Sequence, residues 1–366
     1  MALVKFTRRA AIYASSTPPK AVSPTQKRVT LADVARHAGV TTMTVSRFLR
    51  TPEQVAPSTA VRVLAALERT GYVANKQAGI LATGTSSMVA AIIPNITHSI
   101  FSETIQGLSD SLETHGFELL LASSGYSLER EQKQIRAVLG WAPFALVLTG
   151  RHHAPGSQQL LQAAHVAGTP VVEMWDHSPS QPEFAHIGFD HAAAGALMAQ
   201  HLVSRDYQDL VYVDSGVAED FRAHERGKGF AQTAASLGAG ASRIQAALGD
   251  PIAAGRKVLQ NLLRTTRLPR AIAFANDQLA VGALLEAIDQ HIAVPERLAL
   301  LGFGDFPMAA QVGGGLSTVA TPCYEIGQAV GQWIATCRPE FIKSSPPLQT
   351  VAASRLRPSL IHRRTT

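Results

Sequence analysis

Cysteine is nearly absent from this 366-residue chain, which contains Cys323 and Cys337 alone. Neither belongs to a CxxC pair or to a Cys/His spacing, so the sequence predicts no disulfide framework, no metal site and no cofactor. Long apolar runs are also lacking, because none approaches the roughly 20 residues that a helix needs to span a bilayer. We therefore expect a protein of the reducing cytoplasm.

Charged residues make up only 16% of the chain, and they are unevenly placed. Residues 1–86 carry 12 Lys and Arg against 3 Asp and Glu, a net charge of +9, whereas the other 280 residues carry 21 against 24, a net charge of −3. A basic segment on a near-neutral body is typical of a nucleic-acid-binding head. The alternative is a membrane-surface head, but no continuous apolar stripe lies opposite the positive residues.

Acidic residues are missing altogether from residues 1–27. This segment also has no apolar core of a secretory signal, and it resembles a transit peptide only weakly in composition. We predict a disordered basic tail there. At 366 residues the remaining chain is long enough for two or three domains.

Two short helices separated by a tight turn are predicted between Thr30 and Leu49. Gly39 can adopt a positive φ and end the first helix, and the Thr41 hydroxyl can cap the second. Apolar residues at helical spacing predict a small core, formed by Val34, Ala35, Ala38, Val40, Val45, Phe48 and Leu49.

The second helix leaves Thr42, Met43, Ser46 and Arg47 pointing outward. Arginine can bond guanine bidentately and methyl groups can touch thymine, so this face suits a DNA major groove. The alternative interpretation is an ordinary helical hairpin with a solvated polar face.

A third helix is predicted after Pro57, which suits a first helical turn, and it ends at Gly71. Its predicted apolar stripe is Val61, Leu64 and Leu67. The next twelve residues, 75–86, are polar and glycine-bearing, which predicts a linker that is helical in part.

Beyond residue 88, buried-strand patterns alternate with helical ones. Continuous apolar runs of this kind are typical of parallel strands covered on both faces. The predicted strands are 89–93, 117–122, 145–149, 170–173, 210–214, 271–275 and 298–303, with helices such as 101–115, 130–139 and 192–204 between them. This alternation predicts two doubly wound α/β units, which bind ligands beyond the carboxyl ends of their strands.

Several separated motifs resemble the lactose-repressor family of transcription regulators, over about residues 28–360. They are Thr30-Leu-Ala-Asp-Val-Ala, Ala-Gly-Val40, Thr44-Val-Ser-Arg47, Gly71-Tyr-Val-Ala-Asn75, Ala275-Asn-Asp-Gln-Leu-Ala-Val-Gly282 and Leu301-Gly-Phe-Gly-Asp305. Three segments look most like the gluconate-utilisation repressors, with the 2-ketogluconate regulators as the near alternative. These segments are residues 43–55, Val172-Glu-Met-Trp-Asp176 and Gly302-Phe-Gly-Asp305.

The resemblance implies an α/β protein with a three-helix helix-turn-helix head and two periplasmic-binding-protein-like lobes. The implied divisions are the tail 1–27, the head 28–74, the hinge 75–87, a first lobe of 88–190 and 318–345, and a second lobe of 191–317 and 346–362. The chain is then not an enzyme but a repressor. It acts as a homodimer or tetramer on a palindromic operator in double-stranded DNA, without a membrane partner.

The resemblance also implies DNA contacts. Thr42, Met43 and Arg47 would face bases, and Thr44 and Ser46 would approach phosphates. The hinge segment 75–82, which begins at Asn75, would become helical on DNA, with Leu81 wedged into the minor groove. Three departures from the family pattern are Ala56 in place of a serine cap, Ala74 in place of a proline, and Gly79 within the hinge.

A small effector would bind between the lobes, where Arg226 matches an arginine that reaches into the cleft. A guanidinium binds carboxylate bidentately, which suits a sugar acid such as gluconate or 2-ketogluconate. A neutral or phosphorylated sugar is the alternative effector, and a surface arginine is the alternative for Arg226. Other predicted contacts at strand ends are Asn276, Asp305, Trp175, Asn95, Thr97, Phe101, Thr149, His152 and Phe189.

Three of these predicted contacts have alternative interpretations. Asp305 is offset by one residue from the aspartate of sugar-binding relatives, and Trp175 could equally be a core-edge aromatic. The pair His152-His153 could suggest a metal, but no carboxylate at ligand spacing accompanies it, so we expect a loop histidine that bonds a ligand oxygen.

Two other classes of protein fit the body alone. One is a sugar-binding protein without a DNA function, against which the basic head argues. The other is an enzyme of sugar-acid metabolism, since α/β layers support many chemistries. The sequence contains no P-loop, no dinucleotide fingerprint, no nucleophile elbow and no paired-metal cluster.

Overall fold

The chain is described here from a computed structural model. It covers residues 29–74, 86–96, 99–177, 183–264, 268–338 and 356–366. These residues belong to two compact units, residues 1–84 and 85–366. The predicted tail, most of the predicted hinge and Thr97 lie outside the described residues.

The head contains three helices, α1 (Leu31–Ala38), α2 (Thr42–Arg50) and α3 (Pro57–Thr70), with a 3₁₀ turn at Pro52–Gln54. Gly39 ends α1 at a φ of 63°, and the Thr41 hydroxyl accepts a hydrogen bond from Thr44 N at 3.2 Å, as the sequence predicts. A capping box that the sequence analysis did not identify begins α1. There Thr30 and Asp33 bond each other's backbone N–H groups, at 3.4 and 2.9 Å.

Two details of the predicted head core are wrong. Leu49 is 38% exposed, and α3 buries Val63 and Ala66 while Val61 and Leu64 are 68% and 51% exposed. Apolar residues occupy two faces of α3, so spacing alone does not select the buried one. Packing against α1 selects Val63, which joins Val34, Ala35, Ala38, Val45 and Ala66 in one cluster.

The body contains two sheets, each covered by helices. The first has five parallel strands in the order β2-β1-β3-β4-β5. Its strands are β1 (Met88–Ile93), β2 (Glu118–Ser123), β3 (Ala145–Thr149), β4 (Val171–Asp176) and β5 (Ala185–Phe189). Its helices are α4 (Ser99–Thr114), α5 (Leu128–Leu139), α6 (Pro155–Val166) and α11 (Cys323–Thr336). We call this part the first lobe.

The second lobe holds a six-stranded sheet in the order β11-β10-β9-β8-β6-β7. Its strands are β6 (Asp209–Asp214), β7 (Gly240–Gln245), β8 (Ala271–Phe274), β9 (Ala299–Gly304), β10 (Ser317–Ala320) and β11 (Ser359–Ile361). Only β11 runs antiparallel to its neighbour. Its helices are α7 (His191–Ser204), α8 (Phe221–Ser236), α9 (Pro251–Leu263) and α10 (Asp277–Asp289), with a 3₁₀ turn at Pro307–Ala310.

The predicted α/β class with a helix-turn-helix head and two lobes is confirmed. The seven predicted strands all form, whereas β5, β7, β10 and β11 were missed because each is short or alternates with polar residues. Strand β10 pairs with β9, so residues 318–320 lie in the second sheet rather than the first lobe. Residues past 362 also belong to the second lobe, since Leu300 N donates to Thr365 O at 2.8 Å.

Two glycines allow α7 and α8 to pack backbone against backbone. A Cβ at Gly195 would lie 1.9 Å from Arg226 O, and one at Gly229 would lie 2.1 Å from Ala192 O. Any larger side chain would separate the helices, so this contact fixes the position of Arg226. Within the described ranges, no helix combines the length and apolar character needed to cross a bilayer.

Candidate functional site

The outward face of α2 carries the side chains that the sequence predicts to contact DNA. Thr42, Met43 and Arg47 are exposed, with Met43 at 68%, while Thr44 and Ser46 are half-buried beside the head core. Three of these positions therefore present free side chains to an approaching surface.

Thr44 is held more tightly than its neighbours on α2. Its Oγ1 lies 2.9 Å from the Oγ1 of the capping residue Thr41. This bond fixes the hydroxyl at the N-terminal end of α2, where backbone N–H groups favour an anion. Asn75 and Leu81, the predicted hinge contacts, lie outside the described residues.

Two adjoining cavities lie between the lobes of the body. The inner one has an empty volume of about 480 Å³ and the outer one about 380 Å³. The inner cavity is lined by Ile100, Phe101, Tyr126, Trp175, His191, Asp220, Arg222, Arg226, Ala275, Asn276, Gln278, Phe303 and Phe306. The outer cavity is lined by Pro94, Ser124, Tyr126, Ser127, Leu128, Glu131, Thr149, Gly150, His152, Glu219, Phe221 and Arg222.

Arg226 lines the inner cavity but is held by protein groups. Its Nη1 lies 2.9 Å from His191 Nδ1, and its Nη2 donates to Ala275 O at 2.9 Å. Its guanidinium carbon also lies 3.9 Å from the centre of the Phe303 ring, a cation–π contact. The side chain is therefore buried, and both of its terminal nitrogens already have partners.

His191 connects Arg226 to the first lobe. Because Arg226 Nη1 can only donate, His191 Nδ1 must accept, and the ring proton sits on Nε2. Nε2 donates to Trp175 O at 3.0 Å and also lies 3.3 Å from Asp176 Oδ1. Burial and the nearby Arg226 charge lower the pKa of His191, although Asp176 opposes them, which favours this neutral ring.

Arg222 is a second cavity cation, and sequence reasoning missed it. It precedes Arg226 by four residues on α8, a spacing that places both side chains on one helix face. Arg222 and Tyr126 line both cavities. Arg222 Nη1 donates across the cleft to Thr149 O at 3.3 Å. Despite burial, the nearby Asp176 and Asp220 carboxylates raise the pKa of Arg222.

Several buried polar atoms of the inner cavity lack a hydrogen-bond partner. They are Gln278 Oε1, Arg226 Nε and Trp175 Nε1. An unpartnered buried donor or acceptor is costly, about 1–3 kcal/mol each, so these atoms are poised for a polar ligand. Asn276 adds a donor, because its Oδ1 is used to cap α10 by accepting from Leu279 N at 3.0 Å.

The structure places some predicted contacts away from the cavity lining. Asp305 adopts a φ of 53° and its Oδ1 pairs with Arg363 Nη2 at 2.7 Å. Phe189 is buried behind Trp175, with ring centres 5.9 Å apart, and Asn95 does not line either cavity. Trp175 itself is 2% exposed and meets Phe101 edge-on, so its indole face is covered by protein.

His152 lines the outer cavity and stacks on Phe221 of the second lobe, with ring centres 4.6 Å apart. Two carboxylates that lie far away in the sequence contact His153. Its Nδ1 lies 2.8 Å from Glu131 and its Nε2 lies 3.2 Å from Glu173. These partners come from another helix and strand, so sequence spacing could not show them.

Comparison with known proteins gives the same two-part division. The profile of bacterial regulatory proteins of the lacI family matches residues 30–75, and that of the periplasmic binding protein-like domain matches residues 199–366. The HTH-type transcriptional regulator GntR of Escherichia coli K12 is 32% identical over 302 residues, 82% of this chain and 89% of that protein. The chain belongs to the LacI family of bacterial transcription regulators.

Other relatives of this LacI-family chain support the same family assignment. The GntR regulator of Pseudomonas aeruginosa is 34% identical over 310 residues, 84% of this chain and 89% of that protein. A LacI-family regulator from Silicibacter pomeroyi of known structure has 31% identity and a TM-score of 0.83, over 92% of this chain and 99% of that one. The lac repressor dimer bound to operator has a TM-score of 0.79 at 21% identity, over 93% and 99%, and thus shares the fold.

The LacI-family chain is accordingly a DNA-binding transcriptional repressor and not an enzyme. The inter-lobe cavities are its candidate effector site, and the exposed face of α2 is its candidate DNA-binding face.

Proposed function

We propose that this repressor binds a palindromic operator as a homodimer and is released from it by a small sugar acid. The observation that carries the effector assignment is the inner cavity, which combines two guanidinium groups with unpartnered hydrogen-bonding atoms. A carboxylate suits the guanidinium groups, and hydroxyl groups can both donate to Gln278 Oε1 and accept from Arg226 Nε.

Gluconate and 2-ketogluconate are the effectors that fit this chemistry together with the sequence resemblance. Each has a carboxylate and several hydroxyl groups on a short carbon chain. The aromatic side chains Phe101, Phe303 and Phe306 line the inner cavity and would cover the carbon atoms. Ligand sites commonly combine apolar walls with a few placed polar groups in this way.

On the head, Thr42, Met43 and Arg47 are proposed to face bases, and Thr44 and Ser46 to approach phosphates. The exposure of the first three and the fixed hydroxyl of Thr44 support this division. Asn75 and Leu81 are proposed to act in the hinge, with Leu81 unstacking a base step at the centre of the operator.

Release follows from linkage between the two sites. An effector shifts the repressor toward a released state only if it binds that state better, and operator DNA must weaken effector binding by the same factor. Contacts between the lobes such as Arg151 Nη2 to Glu225 at 2.5 Å, and His152 on Phe221, would change when the cleft opens or closes.

Calorimetry with a panel of ligands tests the effector assignment. We expect gluconate or 2-ketogluconate to bind, and glucose to bind poorly. Preferred binding of a phosphorylated or neutral sugar would replace the sugar-acid proposal. Retardation of the chain's own upstream DNA, with and without the bound acid, tests the repressor function separately.

A further inference from the structure

We propose that Arg222, rather than Arg226, is the residue by which the effector site distinguishes an acid from a neutral sugar. The inference rests on the proposed sugar-acid function and names the side chain that carries its specificity. In it, the ligand carboxylate binds the Arg222 guanidinium, and Arg226 contacts the hydroxyl groups.

The first argument compares the partners of the two arginines. Arg226 is 6% exposed, and its Nη1 and Nη2 bond to His191 and to Ala275 O, each at 2.9 Å. A carboxylate that bound it bidentately would have to displace these protein acceptors. Its unpartnered Nε can still donate a single bond, which suits a ligand hydroxyl oxygen.

Arg222 is held less firmly. Its bond to Thr149 O is 3.3 Å long, and its other hydrogen bond goes to the Tyr126 hydroxyl, so both partners are neutral groups. Charge-assisted bonds between a guanidinium and a carboxylate are shorter, about 2.7–2.9 Å, and roughly twice as strong as neutral ones. A ligand carboxylate that replaces the Thr149 carbonyl therefore forms a shorter and stronger hydrogen bond with Arg222. At Arg226 it would have to replace two hydrogen bonds that are already 2.9 Å long.

Each carboxylate near Arg222 has one oxygen bonded to a backbone N–H group. Asp176 Oδ2 accepts from Arg151 N at 3.0 Å, and its Oδ1 faces His191. Asp220 caps α8 by accepting from Ala223 N at 3.2 Å. Neither carboxylate forms an ion pair with Arg222 among the described residues, so a ligand carboxylate has to displace only the neutral partners Thr149 O and Tyr126.

The backbone beside Arg222 is shaped for its guanidinium. Gly150 has a φ of 90°, and a Cβ at this position would lie 2.5 Å from Arg222 Nη1. Glycine therefore leaves room for the arginine at the end of β3, and it adopts this φ without the strain that a larger residue would have. At that position Arg222 borders both cavities, so a chain-like acid with its carboxylate there can extend its hydroxyl groups into either one.

A matched pair of ligands tests the assignment. D-gluconate and D-glucitol have the same carbon chain and differ in a carboxylate against a CH₂OH group. Calorimetry of the full chain should show that wild type binds gluconate at least tenfold more tightly. Arg222→Gln should weaken gluconate binding by about ten- to a hundredfold, to the level of glucitol, and leave glucitol binding unchanged, since one charged hydrogen-bonding group is lost.

Two further variants serve as controls for this measurement. Arg222→Lys keeps the charge but not the planar fork, so its gluconate affinity should fall between those of wild type and Arg222→Gln. Lys228→Gln removes an exposed positive charge from the same helix and should bind both ligands as wild type does. Operator retardation by each variant verifies that it is folded.

The outcomes separate this inference from the proposed function. If wild type does not prefer gluconate to glucitol, the sugar-acid function fails, and the role of Arg222 with it. If wild type prefers gluconate and Arg222→Gln keeps the full preference, only the assignment of Arg222 is overturned. Equal loss of gluconate and glucitol binding in Arg222→Gln would also overturn it, because the residue would then shape the cavity rather than select the acid.

Discussion

The head and the body of this repressor present their candidate functional side chains in opposite ways. In the head, Thr42, Met43 and Arg47 are exposed on a short helix above a core of valine and alanine. In the body, Arg226 and His191 are buried and hydrogen-bonded to other protein groups. A surface that reads DNA needs side chains free to reach another molecule, whereas a small-molecule site needs donors fixed in advance.

The difference has an energetic consequence. Exposed head residues contribute little to folding, so their substitution should change DNA affinity alone. Buried polar residues in the body have both a folding and a binding role, because removal of one partner leaves another unsatisfied. The predictions below test this contrast in order of expected size.

Arg47→Ala should have the largest effect. One base contact is worth about 1–3 kcal/mol per half-site, and a symmetric dimer loses it twice. Operator retardation should show loss of specific binding, while calorimetry should show an unchanged effector affinity. Arg69→Ala, which removes an exposed charge from α3, is the matched control for the non-specific electrostatic part. Equal effects of the two substitutions would contradict the placement of Arg47 on base edges.

The pH dependence of stability should differ between the two units. Burial lowers the pKa of His153, but hydrogen bonds to Glu131 and Glu173 outweigh it and raise the pKa to about 9. The folded state thus binds the proton more tightly than the unfolded chain, whose histidine pKa is about 6.5. This stabilisation of the body is complete below about pH 6.5 and is lost as the pH rises through 9, a change of about 3 kcal/mol.

In the head the pH dependence of stability has the opposite sign, because a folded-state pKa is lowered there instead of raised. The bond from Thr30 lowers the pKa of Asp33 to about 2, so its contribution is present above the ordinary aspartate value of 3.8 and is lost as the pH falls toward 2. Denaturant titrations from pH 6 to 10 test the His153 prediction. The free energy of unfolding of the body should decline with rising pH as His153 loses its proton, and His153→Gln should flatten this decline. A decline of the same slope in that variant would assign it to other groups.

Arg226→Ala should come next. Loss of one charged hydrogen-bonding group, about 1.5–3 kcal/mol, predicts an effector affinity ten- to a hundredfold weaker, with operator binding retained. The variant should therefore remain on the operator at gluconate concentrations that release wild type. Lys228→Ala, on the same helix but exposed, is the control. Release of Arg226→Ala at the wild-type gluconate concentration would remove Arg226 from the effector site.

The smallest predicted effect concerns the cap of α2. Thr41→Ala removes the acceptor of the Thr44 N–H and should destabilise the head by about 1 kcal/mol, whereas Thr41→Ser should not. Amide hydrogen exchange in the full chain should show faster exchange confined to the head. Faster exchange in the body as well would mean that the two units do not unfold independently.

Sequence reasoning succeeded where the physical cause is local. The turn at Gly39, the cap at Thr41 and the seven apolar strands are each determined by a few neighbouring residues. It failed where two separated elements decide the outcome. The buried face of α3 depends on α1, and the partners of His153 come from α5 and β4.

The candidate effector site shows the same limit. Arg226, Asn276, Phe101, Thr149 and His152 were predicted and line the cavities. Asp305 was predicted too, but a positive φ and the Arg363 side chain hold it elsewhere. Arg222 and Gln278 were missed. Helical spacing could have found Arg222, which lies four residues from Arg226, but not Gln278, which lies two residues from Asn276.

The neutral ring of His191 also sets the conditions under which the repressor can act as a sensor. An ordinary surface imidazole gains its charge near pH 6.5 and would push the Arg226 guanidinium away. Burial lowers the pKa of His191, so the ring gains its proton only at a lower pH than an exposed imidazole does, and its bond with Arg226 is retained that much further into acid.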